Sequence, residues 1–300
     1  MTILPERSEA KKIAAIAESP IVAVVGGVMI DWIFETDRRG EPTTVSPLAK
    51  LPGGKGANIA LSTYRASHVK AASKGPEAKN LTIKKRIPQS DIRVFLNAAV
   101  GEDEEGEALR RAFEADGLDC DGVLVTKGNT GRVRVTVNVE TKVSRGTVMA
   151  GPRAKYVPRD PSRVETLTGR TGEKPDLLIV GLEVPPAVIE PLLQVAAEAG
   201  VDTILNPSPV RPLESTTYAH VTHLVLNEVE AAKMSGLSAE ELKSDEKKQH
   251  TGARRFIDLG VKIVVLTLGE KGVYYLTARG ESGHVPAVEG VVAVDTTGAG

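Results

Sequence analysis

The chain has a single cysteine, Cys120, among its 300 residues. That excludes an internal disulfide framework and fits a reducing compartment. An excess of one charge is missing too: 38 basic residues stand against 39 acidic ones, so no global field recruits nucleic acid or an anionic membrane. Long apolar runs are absent. The longest, Ile21 to Ile30, is interrupted by Gly26 and Gly27; it is too short to span a bilayer and reads as a buried strand. The first twenty residues carry Glu6, Glu9 and Glu18, which argues against a secretory or transit peptide. The cytoplasm is the expected setting, with the nucleus as the alternative.

Several chemistries are excluded in the same way. No Gly-x-Ser-x-Gly elbow occurs, which disfavours a serine hydrolase. His68, His220, His223, His250 and His284 show no zinc-finger or metalloprotease spacing. The first strand-like run ends without Gly-x-Gly-x-x-Gly, so a dinucleotide site is weakly supported. No internal repeat is found.

What is present is an alternation of strand-like and helical patterns, the mark of an α/β fold with a mostly parallel sheet covered by helices. Strand-like runs fall at Ile21–Gly27, Ile92–Val100, Asp176–Gly181, Val201–Leu205, His223–Leu226 and Ile263–Leu268, the last before a hairpin-like pair around Gly272–Thr277. Helical patterns follow at Glu104–Ala115, Pro186–Ala199 and Glu228–Ser235. The length suits one large domain. Two Val- and Thr-rich stretches of period two, 31–51 and 132–149, lack intervening helices and predict a small β-sheet serving as a lid or dimer contact. Residues 67–91 hold six Lys or Arg and little periodicity; lacking aromatics for stacking, they read as a solvated insertion rather than a nucleic-acid patch.

Four phrases carry chemistry. Val24-Val25-Gly26-Gly27 leads to Asp31 from a strand end, where ligands bind in α/β sheets. Pro52-Gly53-Gly54-Lys55-Gly56-Ala57-Asn58 has three glycines in four residues, allowing close backbone approach before a helix opens. It is not a Walker A loop, because Lys55 is followed by glycine. Asn227-Glu228-Val229-Glu230 reads by itself as a helix cap with an acidic first turn. Asp295-Thr296-Thr297-Gly298-Ala299-Gly300 follows a strand-like run and offers amides that can cradle a phosphate. Beside these, Thr267-Leu268-Gly269-Glu270-Lys271-Gly272 reads alone as a tight hairpin entry, Val100-Gly101-Glu102-Asp103 as a structural turn, and Glu183 as an acid at a strand end.

In this order the phrases resemble the signatures of the PfkB (ribokinase-like) carbohydrate kinases. The resemblance implies a three-layer α/β/α sandwich with a small β lid that often pairs two subunits into a homodimer. It implies ATP-dependent phosphorylation of a sugar's primary hydroxyl, with D-ribose the first acceptor expected. Met29, where the family usually has Asn, leaves room for another pentose, a deoxysugar or a nucleoside. Asp31, Gly53, Gly54, Lys55, Asn58 and Glu183 would hold the sugar. Asn227, Thr267, Gly269 and Gly272 would border ATP, and Glu230 would position Mg²⁺ through water. Asp295 and Thr297 would hold a monovalent cation, K⁺. Gly298, Ala299 and Gly300 would form the anion hole for the transferring phosphoryl. The family's catalytic Asp is expected immediately after Gly300. An incomplete record of an active kinase is therefore the expected reading, a naturally short inactive sugar- or partner-binding protein the alternative. No membrane or nucleic-acid partner is expected.

Overall fold

A computed structural model of the chain describes residues 19–37, 39–41, 43–44, 46–67, 92–140, 144–149, 151 and 156–290. Among the described residues there are thirteen strands: β1 (Ile21–Val25), β2 (Met29–Thr36), β3 (Ala49–Gly53), β4 (Arg93–Gly101), β5 (Asp119–Thr126), β6 (Arg132–Asn138), β7 (Ser144–Met149), β8 (Leu177–Gly181), β9 (Asp202–Asn206), β10 (His223–Asn227), β11 (Ile263–Thr267), β12 (Val273–Thr277) and β13 (Ser282–Val285). Nine form one sheet in the order β13-β12-β11-β10-β9-β8-β1-β4-β5. It is parallel from β11 to β5, with β12 and β13 added antiparallel.

The helices are α1 (Lys55–Ser67), α2 (Glu104–Ala115), α3 (Pro186–Glu198), α4 (Glu228–Ser235), α5 (Ala239–Ser244) and α6 (Glu246–Asp258). They cover the sheet on both faces because its central strands are apolar on both. Along β1, Ala23 and Val25 pack into a core with Ile189, Leu192 and Leu193 of α3 and Phe256 of α6. Val22 and Val24 face the other way, against Ala57 and Ala60 of α1 and Leu109 and Phe113 of α2. Each fully buried leucine of this kind contributes roughly 1.5–3 kcal/mol relative to exposure.

The run Ile21–Ile30, expected as one buried strand, is in fact two strands in different sheets. β1 ends at Val25, and β2 opens the second sheet at Met29. Gly26 and Gly27 make the hand-off. The second sheet has the order β3-β2-β6-β7 and is built from the two Val- and Thr-rich stretches; β2 pairs antiparallel with β3 and parallel with β6.

Two elements carried little sequence signal. β5 opens Asp-Cys-Asp-Gly, residues disfavoured in strands, and it lies at the sheet's edge where packing constrains it least. Helix α6 buries Gln249, Gly252 and Ala253 beside Phe256, so its inner face carries few large apolar side chains. Its start is secured by the Asp245 carboxylate, which accepts from the Lys247 amide at 2.8 Å. Among the described residues no helix is long and apolar enough to cross a membrane.

Candidate active site

The carboxyl ends of the parallel strands are where an α/β sheet leaves room for ligands, and the singled-out residues gather there. Gly26 and Gly27, just past β1, lie directly against the start of α1. A methyl built on Gly56 would sit 2.6 Å from the Gly26 Cα, and one on Gly26 would meet the Gly56 Cα at the same distance. Gly54 has φ +97, and a methyl built on it would collide with the Gly27 carbonyl oxygen. The Ala57 amide donates to Gly27 O at 3.2 Å. Glycine is needed here because two backbones touch; helix α1 is thereby pinned to the mouth of the sheet.

Glu183, two residues beyond β8, is buried at 6% exposure rather than solvated. Its Oε2 accepts from the Lys55 amide at 2.8 Å and the Gly27 amide at 3.1 Å. It thus caps α1 from across the sheet, supplying the acceptor that a local Ser or Asp usually provides. Asp31 stands beside it on β2. The carboxylate packs over Gly53, where any side chain would collide with it. It is half-buried and has no hydrogen-bond partner among the described residues. Burial, and then the neighbouring charge of Glu183, hold its pKa above the ordinary carboxylate value. A desolvated, repelled and unpaired carboxylate is an acceptor awaiting donors. The Asn58 side chain and the Lys55 ammonium, both half-buried in the first turn of α1, likewise have no protein partner among the described residues and remain able to donate.

Farther along the same edge, β10 and β11 end side by side, with Asn227 in register with Thr267. Asn227 caps α4: its Oδ1 accepts from the Glu230 amide at 2.8 Å, and Glu230 Oε2 accepts from the Asn227 amide at 3.1 Å. Glu230 is buried at 7% exposure, and its Oε1 keeps no protein partner among the described residues. One remaining oxygen fits a hydrated Mg²⁺ held through water, an ion that keeps its waters and takes few carboxylates directly. After β11 the chain makes a short 3₁₀ turn, Gly269–Lys271, with Gly269 at φ +58 and Gly272 at φ +90. Neighbouring strands lie about 4.8 Å apart, so the ends of β1 and β10, three steps apart in the sheet, are separated by about 14 Å.

With this geometry in view the likenesses become informative. The model of pfkB family carbohydrate kinases matches residues 20–300. A ribokinase of Schizosaccharomyces pombe is 31% identical over 288 residues, covering 93% of this chain and 81% of that protein. A deoxyribokinase of Salmonella typhimurium is 27% identical over 288 residues, covering 93% and 81%. Among solved structures, ribokinase of Arabidopsis thaliana complexed with ribose and ATP has TM-score 0.72 at 21% identity, covering 94% of this chain and 82% of that one. The chain belongs to the pfkB family of carbohydrate kinases.

As a pfkB kinase, the chain has the family's three-layer α/β fold, and it is a ribokinase-family sugar kinase. Asp31, Gly53, Gly54, Lys55, Asn58 and Glu183 are brought together at the ends of β1 and β8; Asn227, Thr267 and Glu230 sit at the ends of β10 and β11, with Gly269 and Gly272 in the turn beyond. Asp295, Thr297, Gly298, Ala299 and Gly300 lie outside the described residues, as does residues 68–91 of the insertion. Sequence reasoning gave Asp103 and the acids after it, Glu105 included, a structural part only, suited to the positive end of the following helix, and passed over Thr130 and Arg132. Asp103 accepts from the Gly106 amide at 2.9 Å, the Thr130 amide at 2.9 Å and the Thr130 hydroxyl at 2.5 Å. Burial alone would raise its pKa; the Thr130 and Gly106 hydrogen bonds and the Arg132 charge outweigh that and bring it below the usual value. The acidic first turn of α2 was the available signal, but its partners come from three distant strands.

Proposed function

We propose that this protein transfers the γ-phosphoryl group of ATP to the primary hydroxyl of a pentose, with D-ribose the principal acceptor and ribose 5-phosphate the product. The observation that carries this is the unpaired, half-buried Asp31 carboxylate beside Glu183 and the glycine-lined start of α1. A sugar with adjacent hydroxyls supplies the donors Asp31 lacks. Lys55, Asn58 and the Gly53 and Gly54 backbone would hold the remaining hydroxyls, and Glu183 would keep the pocket's floor in place while its second oxygen accepts from the sugar.

In this reading Asn227, Thr267, Gly269 and Gly272 border ATP, and Glu230 orients Mg²⁺ through water. When bound, the metal supplies charge neutralisation for the phosphates. Such transfers depend chiefly on positioning and charge stabilisation. The amides of Gly298, Ala299 and Gly300 would offer that stabilisation, with K⁺ at Asp295 and Thr297. The setting is the cytoplasm. The apolar face of the second sheet pairs with its counterpart in a homodimer: Leu51 and Val148 are 47% and 51% exposed and share that face with half-buried Val133.

A second acceptor is favoured by Met29, which is buried on the same face of β2 as Asp31. A thioether cannot donate a strong hydrogen bond, so it tolerates a sugar carbon that lacks its hydroxyl, and a relative is named deoxyribokinase. A phosphorylation screen of the full-length protein with ATP, Mg²⁺ and ribose, 2-deoxyribose, fructose or adenosine tests both readings. Ribose is expected to give the highest kcat/KM. Higher kcat/KM with 2-deoxyribose selects the second reading, and transfer to no sugar overturns both.

A further inference from the structure

One cluster is left unused by the proposed chemistry. Glu105 lies in the first turn of α2 with its side chain 15% exposed. Its carboxylate accepts from Trp32 Nε1 at 3.2 Å, Lys50 Nζ at 2.9 Å and Arg132 Nε at 2.6 Å. These partners belong to β2, β3 and β6, three of the four strands of the second sheet. The same two cations flank the indole: the Lys50 ammonium lies 4.7 Å and the Arg132 guanidinium 4.9 Å from its ring centroid. One carboxylate of the main body therefore gathers most of the second sheet around a single tryptophan.

The body side of this joint is rigid. Asp103 ties the start of α2 to Thr130, just ahead of β6, and Thr130 Oγ1 accepts from the Gly101 amide at 3.0 Å. A methyl on Gly106 would come 2.8 Å from Thr130 Oγ1, so the turn has no slack. The sheet side leads straight to the acceptor pocket. Trp32 follows Asp31 on β2, and strand alternation sends them to opposite faces: Trp32 toward α2, Asp31 toward Gly53 and Glu183. A shift of the Trp32 face is a shift of the Asp31 carboxylate. Lys50 and Arg132 also hold Glu105 ionised: burial would raise its pKa, and their hydrogen bonds and charges more than reverse this.

We propose that Glu105 is a positioning residue for acceptor binding, fixing the second sheet against the body through Trp32, Lys50 and Arg132 and thereby placing Asp31 over the sugar pocket. This rests on the reading of Asp31 as the sugar's anchor.

The test measures affinity for ribose and for a non-hydrolysable ATP analogue by calorimetry in the full-length wild type, Glu105→Ala, Glu105→Gln and Trp32→Phe, with iodide quenching of Trp32, the only tryptophan in these 300 residues. Losing charge-assisted hydrogen bonds at the joint is expected to weaken ribose about tenfold in Glu105→Ala. Nucleotide affinity should stay unchanged, and Trp32 should become more open to iodide. Glu105→Gln, which keeps an acceptor oxygen, should lose less. Trp32→Phe, which keeps an aromatic ring but not the indole N–H donor, should lose least. Should Glu105→Ala not fold, the ribose-against-nucleotide split in the other two variants decides. Equal weakening of both ligands, or ribose binding as tight as wild type, overturns the positioning role alone. A wild type that binds no pentose overturns the reading of Asp31 and the positioning role with it.

Discussion

At the ends of β1 and β8 the site's polar atoms reach far along the chain: Glu183 accepts from Lys55, 128 residues away, and from Gly27, 156 away. At the end of β10 the same kinds of group close on neighbours, Asn227 and Glu230 satisfying each other across three residues. The end proposed for the acceptor is assembled by tertiary contact and leaves the Asp31 carboxylate unpaired among the described residues; the end proposed for the nucleotide is assembled by local capping and leaves only the second Glu230 oxygen unpaired. Long-range assembly lets burial and a neighbouring charge tune one carboxylate. Local capping gives a stable helix start that a ligand need only approach.

The sharpest way to break this contrast is through glycine. Gly56→Ala puts a methyl on the Gly26 backbone at 2.6 Å, and neither backbone can yield without moving α1. A loss of about 3 kcal/mol is expected in a urea melt. Gly269→Ala, at φ +58 with open space around it, should lose only about 1–2 kcal/mol, the penalty of the left-handed conformation itself. Comparable losses would mean that the acceptor end is no more tightly interlocked than the other.

Asp31→Asn separates function from stability. Removing the charged acceptor is expected to weaken ribose about a hundredfold. The thermal midpoint should rise, because a carboxylate strained by burial and by Glu183 has been neutralised. A falling midpoint would show that the carboxylate has a structural partner after all.

Acid should divide the carboxylates in the same way. The folded pKa of Asp31 is raised, so its carboxylate is lost early as pH falls, and ribose affinity should decline with it. Protonation there relieves a penalty and does not unfold the protein. Asp103 and Glu105 have folded pKa values below their ordinary ones. Their stabilisation is fully present above the unfolded pKa and is lost only as pH falls through the folded value. Binding measured by calorimetry should therefore fade at a higher pH than the circular dichroism signal; coincident midpoints would contradict this.

The fold was legible because its central strands are continuous apolar runs and several helices open on clear caps or prolines. The Asn227 box was legible for the same reason, all its chemistry lying within four consecutive residues. Glu183 was legible only as an acid at a strand end, since nothing local announces that it caps α1. Glu105 was illegible: its partners at positions 32, 50 and 132 come from three strands, and no spacing rule joins them. The break between β1 and β2 was hidden too, because Val28, Met29 and Ile30 are as apolar as the strand before them.

The smallest effect belongs to the nucleotide end. Asn227→Ala should cost about 1 kcal/mol through the lost cap, weaken the ATP analogue modestly and leave ribose untouched. Loss of ribose affinity in this variant would erase the distinction between the two ends.

The central claim is that ribose binds the ionised form of Asp31, and proton linkage tests it most directly. Calorimetric titration of ribose at acidic pH, repeated in buffers of different ionisation enthalpy, counts protons exchanged on binding. The account predicts proton release in the wild type and none in Asp31→Asn under the same conditions. Ribose binding without proton release at the pH where affinity is falling would contradict it.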